Sequence, residues 1–538
     1  MRTEETSVLV AGGGLVGLSA AVFLSWHGVP TLVAERHAAS SPHPRAVGFT
    51  PRTMELLRAV GLGSHVPQVP PGARLRRARV QSLAGPWSEE IPWTPRGDDG
   101  PVDEAPAIEY SPCTGAAIAQ DRLEPLLRDR AAELGADLRF GTELLTWRQD
   151  ADGVLAVLRT GDGDEHQVRA GYLLAADGTR SPVREALGIG RGGRGHLGTS
   201  RSVLFRAPLE EYLESGVSQF QIDQPGLQAF LTTYGDGRWV LMFADDRERD
   251  PDTLKSTVLQ AIGRTDLPVE LITTGRWELS ALVADRFASG RVFLAGDAAH
   301  TLPPSRGGYG ANTGIEDAHN LAWKLSSVLS GESAPRLLGT YDAERRPVAW
   351  LRHDQIFARA DHRRFTETPG DAGTPILDEE AMEFGQLYRS AAVLTAGEEL
   401  PPAARPEQWA GQPGTRAPHL WLSGDGERPS TLDLFQRGWV LLAGHDRWAA
   451  AAERASERTG VPLECRRIGG RLRPREPQEF LRAYGVGQDG ASLVRPDGYI
   501  AWRSRGLPVR PAGELTAALA QVSCAAFAPA PSEHFESR

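Results

Sequence analysis

Three glycines near the N-terminus have the spacing needed to hold a phosphate group. Gly12, Gly14 and Gly17 form a G-x-G-x-x-G turn between an apolar strand at Ser7–Ala11 and a helix. In such a turn the first glycine permits the bend, the second admits a pyrophosphate, and the third lets helix and strand pack closely. Glu35 ends the next strand, where a carboxylate can accept ribose hydroxyls. The pattern predicts a site for a dinucleotide, FAD or NAD, although a turn without a ligand can have the same spacing.

A second candidate segment lies almost three hundred residues later. An apolar strand, Val292–Ala295, runs towards Asp297, and a Pro- and Gly-rich loop at 303–312 leads to a helix expected from about Thr313. A carboxylate at the end of a strand suits a ribose or ribityl hydroxyl, and a helix N-terminus supplies positive potential. Taken alone, Asp297 could equally be a turn or helix-cap residue.

A third candidate is the sequence DGTRSPVR at 177–184, which follows a strand expected at Tyr172–Ala176. Asp177 again stands where a strand ends. A strand-end turn followed by a helix cap explains this segment as well as a ligand does, if it is considered by itself.

The composition limits the classes of protein and partner. The chain has 538 residues, with 59 Lys and Arg against 69 Asp and Glu, so its formal net charge is −10. An acidic chain without a basic block is not expected to bind nucleic acid. Three cysteines without CxxC spacing predict neither a disulfide framework nor a thiolate metal site, and we expect no metal. The lack of a signal peptide or a long apolar run favours a cytoplasmic protein without a membrane partner.

The expected elements divide the chain into four segments. Strands alternate with helices in residues 1–189 and again in 281–400, which predicts an α/β domain in two parts. Residues 190–280 contain short alternating strands and predict an inserted sheet-rich domain. Pro401–Pro418 is rich in Pro, Ala and Gly and is interpreted as a linker. Residues 401–538 otherwise predict a second, smaller α/β unit.

Together the motifs carry a family resemblance. GGGLVG with Glu35, AADGTRSPVR, and AGDAAHTLPPSRGGYGANTGIEDAHNLAWKL occur in that order, with SPHPRAVGFTPRTMELLRAVGL and AQDRLEPLL before the second. Residues 1–400 resemble the class A flavoprotein aromatic hydroxylases, the para-hydroxybenzoate hydroxylase family. The C-terminal GASLVRPDGYIAWR resembles the branch of that family that acts on aromatic polyketides. The resemblance implies an α/β fold with a Rossmann-like (GR2-type) FAD-binding domain, an inserted β-sheet-rich substrate domain and a thioredoxin-like C-terminal domain, here without CxxC.

By that resemblance the motif residues hold FAD. The glycine turn would bind the pyrophosphate, Glu35 the adenosine ribose and Asp297 the ribityl side, while Asp177 belongs to a motif linked to both FAD and NAD(P)H. Arg45 would lie near the flavin and support its movement, unless it only forms a surface salt bridge. The loop has one residue more than the usual P-x-G-G-x-G-x-N, so Pro303 competes with Pro304 as the flavin contact. The expected cofactor-binding residues are Gly12, Gly14, Leu15, Val16, Gly17, Glu35, Arg36, Arg45, Gln120, Arg122, Asp177, Asp297, Pro304, Gly307, Gly308, Gly310, Ala311 and Asn312.

The resemblance also implies a reaction. A FAD-dependent monooxygenase would consume NADPH or NADH and O2, form a flavin C4a-hydroperoxide, and hydroxylate an aromatic polyketide or phenolic natural product. Baeyer–Villiger oxidation and epoxidation use the same oxygen chemistry and stay open. So does a non-catalytic flavoprotein that sequesters an aromatic antibiotic. The expected assembly is a monomer or a homodimer.

The sequence does not identify a catalytic base. Arg45 and Tyr234 are candidates for a catalytic role, and Tyr234 and His65 are candidates for the pocket, although each also suits a structural or surface position. The inserted domain is expected to form the roof over the flavin. Its large side chains either line an aromatic site or belong to the core of a sheet: Phe220, Phe230, Tyr234, Trp239, Met242 and Phe243.

Overall fold

The computed structural model describes residues 3–73, 75–91, 108–359, 374–423, 429–469, 473–474 and 476–526. They form three main sheets with helices packed between and around them. None of the helices in these ranges is long and apolar enough to cross a membrane.

The elements follow one another along the whole chain. The strands are β1 (Thr3–Ala11), β2 (Thr31–Glu35), β3 (Gly48–Phe49), β4 (Arg76–Val80), β5 (Trp87–Glu90), β6 (Ala116–Ala117), β7 (Asp137–Phe140), β8 (Thr142–Gln149), β9 (Val154–Thr160), β10 (Glu165–Ala175), β11 (Arg191–Arg206), β12 (Val217–Gln224), β13 (Leu227–Thr233), β14 (Arg238–Phe243), β15 (Glu270–Ala284), β16 (Ala288–Ser289), β17 (Val292–Leu294), β18 (His300–Thr301), β19 (Leu422–Ser423), β20 (Trp439–Ala443), β21 (Leu463–Arg467), β22 (Arg473–Pro474), β23 (Ala491–Val494) and β24 (Ile500–Ser504). The helices are α1 (Leu15–Trp26), α2 (Pro51–Ala59), α3 (Gln120–Glu133), α4 (Pro182–Ala186), α5 (Pro251–Ile262), α6 (Tyr309–Leu329), α7 (Gly339–Ala358), α8 (Glu379–Phe384), α9 (Pro406–Trp409), α10 (Arg447–Thr459), α11 (Pro477–Tyr484) and α12 (Pro511–Val522).

The first sheet has the strand order β16-β17-β10-β1-β2-β7. Neighbouring strands of this sheet from β17 to β7 run parallel to each other. Strand β9 pairs antiparallel with β10, and β8 pairs antiparallel with β9. The central strand β1 is apolar and buried over Val8–Ala11, as a parallel strand must be when helices cover both faces. Helix α1 is buried along almost its whole length and packs against α3 and α6. This is the Rossmann-like domain that the motifs predict.

The second sheet has the order β18-β15-β11-β14-β13-β12-β4-β5, and α5 packs on one of its faces. Most of its strands come from the segment expected at 190–280. Strands β4 and β5 do not, because they lie in the stretch 1–189 that the sequence assigns to the first domain. The structure pairs β4 in parallel with β12 and β5 with β4. Residues 76–90 therefore belong to the second sheet, a non-local pairing that local patterns do not reveal.

The C-terminal unit contains a four-stranded sheet of order β21-β20-β23-β24. Strands β20 and β21 are parallel and are joined by α10, whereas β23 and β24 form an antiparallel hairpin around the turn at 495–499. Helices α10 and α12 pack together on the sheet. A β-α-β unit followed by a hairpin and a last helix is the thioredoxin-like arrangement that we expected.

The interpretation of Pro401–Pro418 as a linker is wrong. Ala403, Trp409 and Ala417 are buried, and α9 lies within the segment. Arg416 is also buried and forms an ion pair with Glu55 of helix α2. The high content of Pro, Ala and Gly therefore reflects tight packing of irregular backbone against the first domain.

A buried ionic cluster attaches the C-terminal unit to the first domain. The Glu344 carboxylate of α7 accepts hydrogen bonds from both Nη atoms of Arg495, at 2.6 and 2.9 Å. It also accepts from Nζ of Lys324 at 2.7 Å and Nδ2 of Asn320 at 2.8 Å, both on α6. Asp497 accepts from Asn320 and from Nε1 of Trp323. The polar face of α6 is thus part of an interface between the domains.

Candidate active site

Three neighbouring parallel strands end at the same level of the first sheet. Ala11 of β1 pairs with Ala175 of β10, and Ala175 pairs with Leu294 of β17. The glycine turn, the Asp177 motif and Asp297 each follow one of these strands within three residues. Because ligands of open α/β sheets bind beyond the carboxyl ends of the strands, the three motifs border one cleft.

The glycine turn has the geometry that a pyrophosphate site requires. Gly12 has a φ of +104°, and a Cβ on it would lie 2.3 Å from the carbonyl oxygen of Ala176. A Cβ on Gly17 would lie 1.9 Å from the carbonyl oxygen of Gly12. Gly14 precedes α1 without a side-chain cap, and Oε1 of Glu124, 3.9 Å away, is the nearest atom to a Cβ there. The amides at the start of α1 are therefore open to an anion.

Glu35 lies beside this turn. Its Oε2 accepts a hydrogen bond from the amide of Gly13 at 2.7 Å, and its Oε1 accepts one from the amide of His37 at 2.8 Å. The side chain is 14% exposed. The carboxylate is thus fixed at the edge of the cleft, where the sequence predicts a ribose contact.

The other three residues expected around this turn differ in their surroundings. Leu15 is buried in the core. Val16 packs on the second motif, since a Cβ on Gly296 would lie 2.7 Å from its Cγ2. Arg36 is exposed. The side chains of Leu15 and Val16 therefore join helix α1 to its neighbours, and a cofactor contact from them would come through their backbone.

Asp297, Thr179 and Arg45 meet in the cleft. Oγ1 of Thr179 donates a hydrogen bond to Oδ2 of Asp297 at 3.2 Å, and Nη1 of Arg45 lies 3.9 Å from the same oxygen. Oδ2 of Asp177 accepts the amide of Val183 at 3.1 Å, whereas its Oδ1 is buried with no partner within the described protein. Burial raises the pKa of the Asp177 carboxyl. Such an unpartnered acceptor fits a site that a hydroxyl or amide of a cofactor completes.

Asp317 holds the Asp297 turn in place, although it was not among the site residues expected from the sequence. Its Oδ2 accepts hydrogen bonds from the amide of Gly296 at 3.2 Å and from Nε2 of His300 at 2.6 Å. Its Oδ1 accepts from Nε of Arg345 at 2.8 Å. These groups are fully buried, and the paired charges lower the pKa of Asp317. The signal was a polar stripe at helical spacing on α6: Thr313, Asp317, Asn320 and Lys324.

The two prolines in the loop before α6 differ in their exposure. Pro303 is buried and Pro304 is exposed, so Pro304 is the candidate for flavin contact. Gly308 has a φ of +58°, and a Cβ on it would lie 2.9 Å from the carbonyl oxygen of Gly48. Helix α6 begins at Tyr309, not near Thr313 as the sequence suggested.

This earlier start changes the role of the loop glycines. Gly310 and Ala311 lie in the first turn of α6, where backbone N–H groups have no carbonyl partner within the helix, whereas the N–H of Asn312, at the fourth position, donates to Gly308. The helix has no side-chain cap. A Cβ on Gly307 would lie 2.6 Å from the Tyr309 ring, so Gly307 admits that ring. The loop therefore presents backbone N–H groups to the cleft.

The Asn312 side chain is used within the protein. Its Oδ1 accepts from the amide of Thr50 at 3.1 Å and from Oγ1 of Thr53 at 2.6 Å. Its Nδ2 donates to the carbonyl oxygens of Gly48 and Gly308. The amide group of the side chain has no capacity left for a cofactor, and the backbone N–H of Asn312 donates to the carbonyl oxygen of Gly308 at 3.2 Å. Asn312 therefore joins the start of α6 to the start of α2.

The two expected residues of α3 have separate environments. Oε1 of Gln120 accepts the amide of Ala46 at 3.3 Å, and Nε2 of Gln120 donates to Glu124 at 2.7 Å. Gln120 thus lies between the Arg45 segment and the glycine turn. Arg122 is 63% exposed and lies 3.8 Å from Asp236, in the turn between β13 and β14. Its nearest charged partner therefore belongs to the second sheet.

Tyr234 does not have the environment of a catalytic base. Its hydroxyl donates a hydrogen bond to the carbonyl oxygen of Pro44 at 2.7 Å, and the ring is 7% exposed. Burial raises the pKa of the phenol. His65, the other pocket candidate, is exposed on the stretch after α2 and contacts Ser64. The Tyr234 hydroxyl is thus engaged with the backbone of Pro44, and His65 has a surface position.

The six large side chains of the inserted domain divide between the faces of the sheet, because side chains alternate along a strand. Phe220, Trp239 and Phe243 are buried with α5 in the core. Tyr234 and the partly exposed Met242 pack with Val47 and Ala119 of the first domain. Phe230 pairs with Met242 across β13 and β14 and shares its face. Half of the expected pocket residues are therefore core residues, and three face the first domain.

The loop before α6 also contacts the second sheet. Nη1 of Arg306, in the loop before α6, donates to the carbonyl oxygen of Ile91 at 2.6 Å. Ile91 follows β5, at the edge of the second sheet. The loop that carries the extra residue is therefore attached to the second sheet through Arg306.

Comparison with known proteins agrees with this geometry. The model of an FAD-binding domain family matches residues 5–355, and that of the C-terminal domain of aromatic-ring hydroxylases matches residues 410–526. Tetracenomycin A2 monooxygenase-dioxygenase of Streptomyces glaucescens is 40% identical, over 97% of each chain. A 4-methyl-5-nitrocatechol 5-monooxygenase of a Burkholderia species is 42% identical, over 97% of this chain and 98% of its own.

Solved structures extend the comparison to the fold. A ternary complex of aklavinone-11 hydroxylase with FAD and aklavinone superposes with a TM-score of 0.85 at 38% identity, over 97% of this chain and 100% of that one. The strand ends, the glycine turn and the relatives point to the same cofactor. The chain belongs to the FAD-binding aromatic-ring hydroxylases and is an FAD-dependent monooxygenase.

Proposed function

We propose that this protein hydroxylates an aromatic polyketide or a related phenol, with NADPH or NADH as the electron donor and O2 as the oxygen source. The observation that carries the proposal is the meeting of the glycine turn, the Asp177 motif and Asp297 at one level of the first sheet. The names of the relatives support an electron-rich aromatic substrate, because they include two tetracenomycin monooxygenase-dioxygenases and an aklavinone hydroxylase.

The residues present fit FAD. The open amides at Gly14 suit its pyrophosphate, Glu35 its adenosine ribose and Asp297 its ribityl hydroxyls. When bound, FAD would take electrons from NAD(P)H and activate O2. The amides at the start of α6 would stabilise negative charge on the flavin ring, since the N-terminus of a helix carries positive potential.

The roof supplies orientation and keeps water out. The face of β13 and β14 that carries Phe230 and Met242 turns towards the FAD-binding domain, and hydrogen bonds from Tyr234 and Arg306 join the second sheet to that domain. A flat aromatic substrate would lie between this face and the loop at Pro304. Enclosure strengthens every electrostatic interaction in the site.

Turnover and product analysis test the proposal. The purified protein should be yellow, and an aromatic ligand should stimulate its NADPH oxidation. We would screen quinonoid and phenolic polyketides first, with aklavinone and 4-methyl-5-nitrocatechol included. A lactone product would show that the reaction is a Baeyer–Villiger oxidation and not a hydroxylation, and an epoxide product would indicate epoxidation. A yellow protein that binds these ligands and oxidises neither NADPH nor NADH would be a sequestering flavoprotein.

Asp297→Ala tests the cofactor assignment. The substitution removes the carboxylate that we assign to the ribityl hydroxyls. Loss of a hydrogen bond to a charged group costs about 1.5–3 kcal/mol, which corresponds to roughly 10- to 100-fold weaker FAD binding. Titration of the apoprotein with FAD measures the change. Asp162→Ala, in an exposed turn, is the control and should bind FAD like the wild type. Equal affinity of both variants would show that Asp297 does not hold the cofactor.

A further inference from the structure

Arg45 reaches into the cleft from a segment that is fixed on both sides. Its side chain is 68% exposed, and its guanidinium lies 3.9 Å from Asp297 and 5.9 Å from the ring centre of Trp277. Both contacts are long for an ion pair or a cation–π interaction. These contacts alone do not fix the guanidinium, so the backbone that carries Arg45 determines which part of the cleft it can reach.

That backbone is held by the residues next to Arg45. The carbonyl oxygen of Pro44 accepts the hydroxyl of Tyr234 at 2.7 Å. The amide of Ala46 donates to Oε1 of Gln120 at 3.3 Å, and its carbonyl oxygen accepts the amide of Gln120 at 2.9 Å. One partner belongs to the second sheet and the other to α3, so Arg45 lies where the two domains meet.

His43 provides another attachment to the second sheet. Its Nε2 lies 2.9 Å from Oγ of Ser202, which also accepts Nε1 of Trp277 at 2.6 Å. The imidazole occupies a notch in the sheet, because a Cβ on Gly275 would lie 2.9 Å from its Cδ2. His43 and Ser202 are buried, and the rings of His43 and Trp277 meet edge to face. The same contact therefore places both the Arg45 segment and the ring beside its guanidinium.

We infer that Tyr234 and His43 are positioning residues, through which the roof sets where the guanidinium of Arg45 lies beside the flavin. The inference rests on the proposed function, since it gives Arg45 a cofactor to act on. It assigns Tyr234 a role other than proton transfer. A side chain with only long contacts of its own needs such support, and a displacement of about 1 Å can cost up to about 100-fold in rate.

Tyr234→Phe tests this role by removing one hydroxyl. Tyr484→Phe is a matched control, because the Tyr484 hydroxyl also donates to a proline carbonyl, that of Pro418 at 2.9 Å, in the C-terminal unit. We would measure FAD content, melting temperature and the anaerobic rate at which NADPH bleaches the flavin, with and without aklavinone. We expect Tyr234→Phe to keep FAD and melting temperature close to those of the control and to slow bleaching by about tenfold. Equal rates in the two variants would overturn the inference.

A double-mutant cycle with Arg45→Gln separates positioning from general destabilisation. If Tyr234 acts through Arg45, Tyr234→Phe should add little to the loss caused by Arg45→Gln. Additive losses would show that Tyr234 acts elsewhere. Gly275→Ala, which crowds His43, should resemble Tyr234→Phe in the same cycle, and additivity there would remove His43 from the inference.

Failure of the proposed function can be distinguished from failure of this inference. A wild-type protein that binds FAD but is reduced by neither NADPH nor NADH would contradict the proposed function. The inference would then be judged on the absorption spectrum of the bound flavin, which responds to a nearby charge. The same spectral change in Arg45→Gln and Tyr234→Phe supports it, and an unchanged spectrum in Tyr234→Phe overturns it.

Discussion

Replacing Glu344 with glutamine is expected to lower the free energy of unfolding by about 3–5 kcal/mol, the usual cost of breaking a buried ion pair. Glu344 is fully buried and accepts hydrogen bonds from Arg495, Lys324, Asn320 and Ser390. Glutamine would present an NH2 group to these donors and leave two buried cations with less compensating charge. Because the cluster joins α6, α7 and the C-terminal unit, the whole chain should be destabilised.

The expected loss depends on pH in a defined direction. Burial lowers the pKa of Lys324 to about 8 in the wild type, and removal of its carboxylate partner lowers it further. Lys324 is then neutral in both folded proteins at pH 10, whereas below about pH 8 the folded wild type binds a proton that the folded variant does not. The penalty is therefore smaller at pH 10 and grows as the pH falls through about 8 to 7. Chemical denaturation at both pH values measures it. Glu143→Gln, which breaks an exposed pair with Arg159, should change stability by less than about 1 kcal/mol. A comparable loss in both variants would contradict this account of the cluster.

Gly17→Ala should produce a protein that does not retain FAD. The new methyl group would lie 1.9 Å from the carbonyl oxygen of Gly12, so helix α1 must move away from the turn that it helps to form. Overpacking costs about 1–3 kcal/mol where side chains can adjust, and here the obstacle is backbone. We expect FAD affinity to fall by at least about 100-fold, because the amides at the start of α1 lose their alignment.

The matched control for Gly17→Ala is Gly339→Ala. Gly339 begins α7, and no atom outside its own neighbourhood lies within 4 Å of a Cβ built on it. That variant should bind FAD like the wild type. Flavin absorbance of the purified proteins and titration with FAD compare the two. Normal flavin content in Gly17→Ala would show that the glycine turn does not depend on the contact between α1 and Gly12.

The parts of the site that sequence predicts are local in origin. A strand that runs into glycine and a helix is a pattern within a few residues, and parallel pairing then brings the ends of β1, β10 and β17 to one level. The glycine turn, Asp177 and Asp297 could therefore be named before the structure. The FAD assignment came from the order of the motifs, since the spacing of the glycines alone fits NAD equally well.

The parts that sequence missed depend on contacts between distant segments. Strands β4 and β5 join the second sheet beside β12, more than a hundred residues later, and no local pattern specifies that partner. Pro401–Pro418 resembles a linker by composition, yet its Arg416 is paired with Glu55 in the first domain. Periodicity finds buried apolar faces, whereas this interface is built from charges.

The roles of single side chains were the least predictable feature. Asn312 lies in a cofactor motif, but its amide group is used to join α6 to α2. Tyr234 has the chemistry of an acid or base, yet its hydroxyl supports the backbone of Pro44. Asp317, which holds the Asp297 turn, is one of several polar residues on α6, and only the fold shows which strand end it faces.

The origin of the oxygen atom in the product tests the central claim most directly. The purified protein with FAD, NADPH and the most stimulating phenolic ligand of the screen would be allowed to turn over under ¹⁸O₂. Mass spectrometry and carbonyl NMR would then identify the product. We predict one ¹⁸O atom in a new hydroxyl group on the aromatic ring. An unchanged ligand, or a product without oxygen from O2, would contradict the assignment as a hydroxylase.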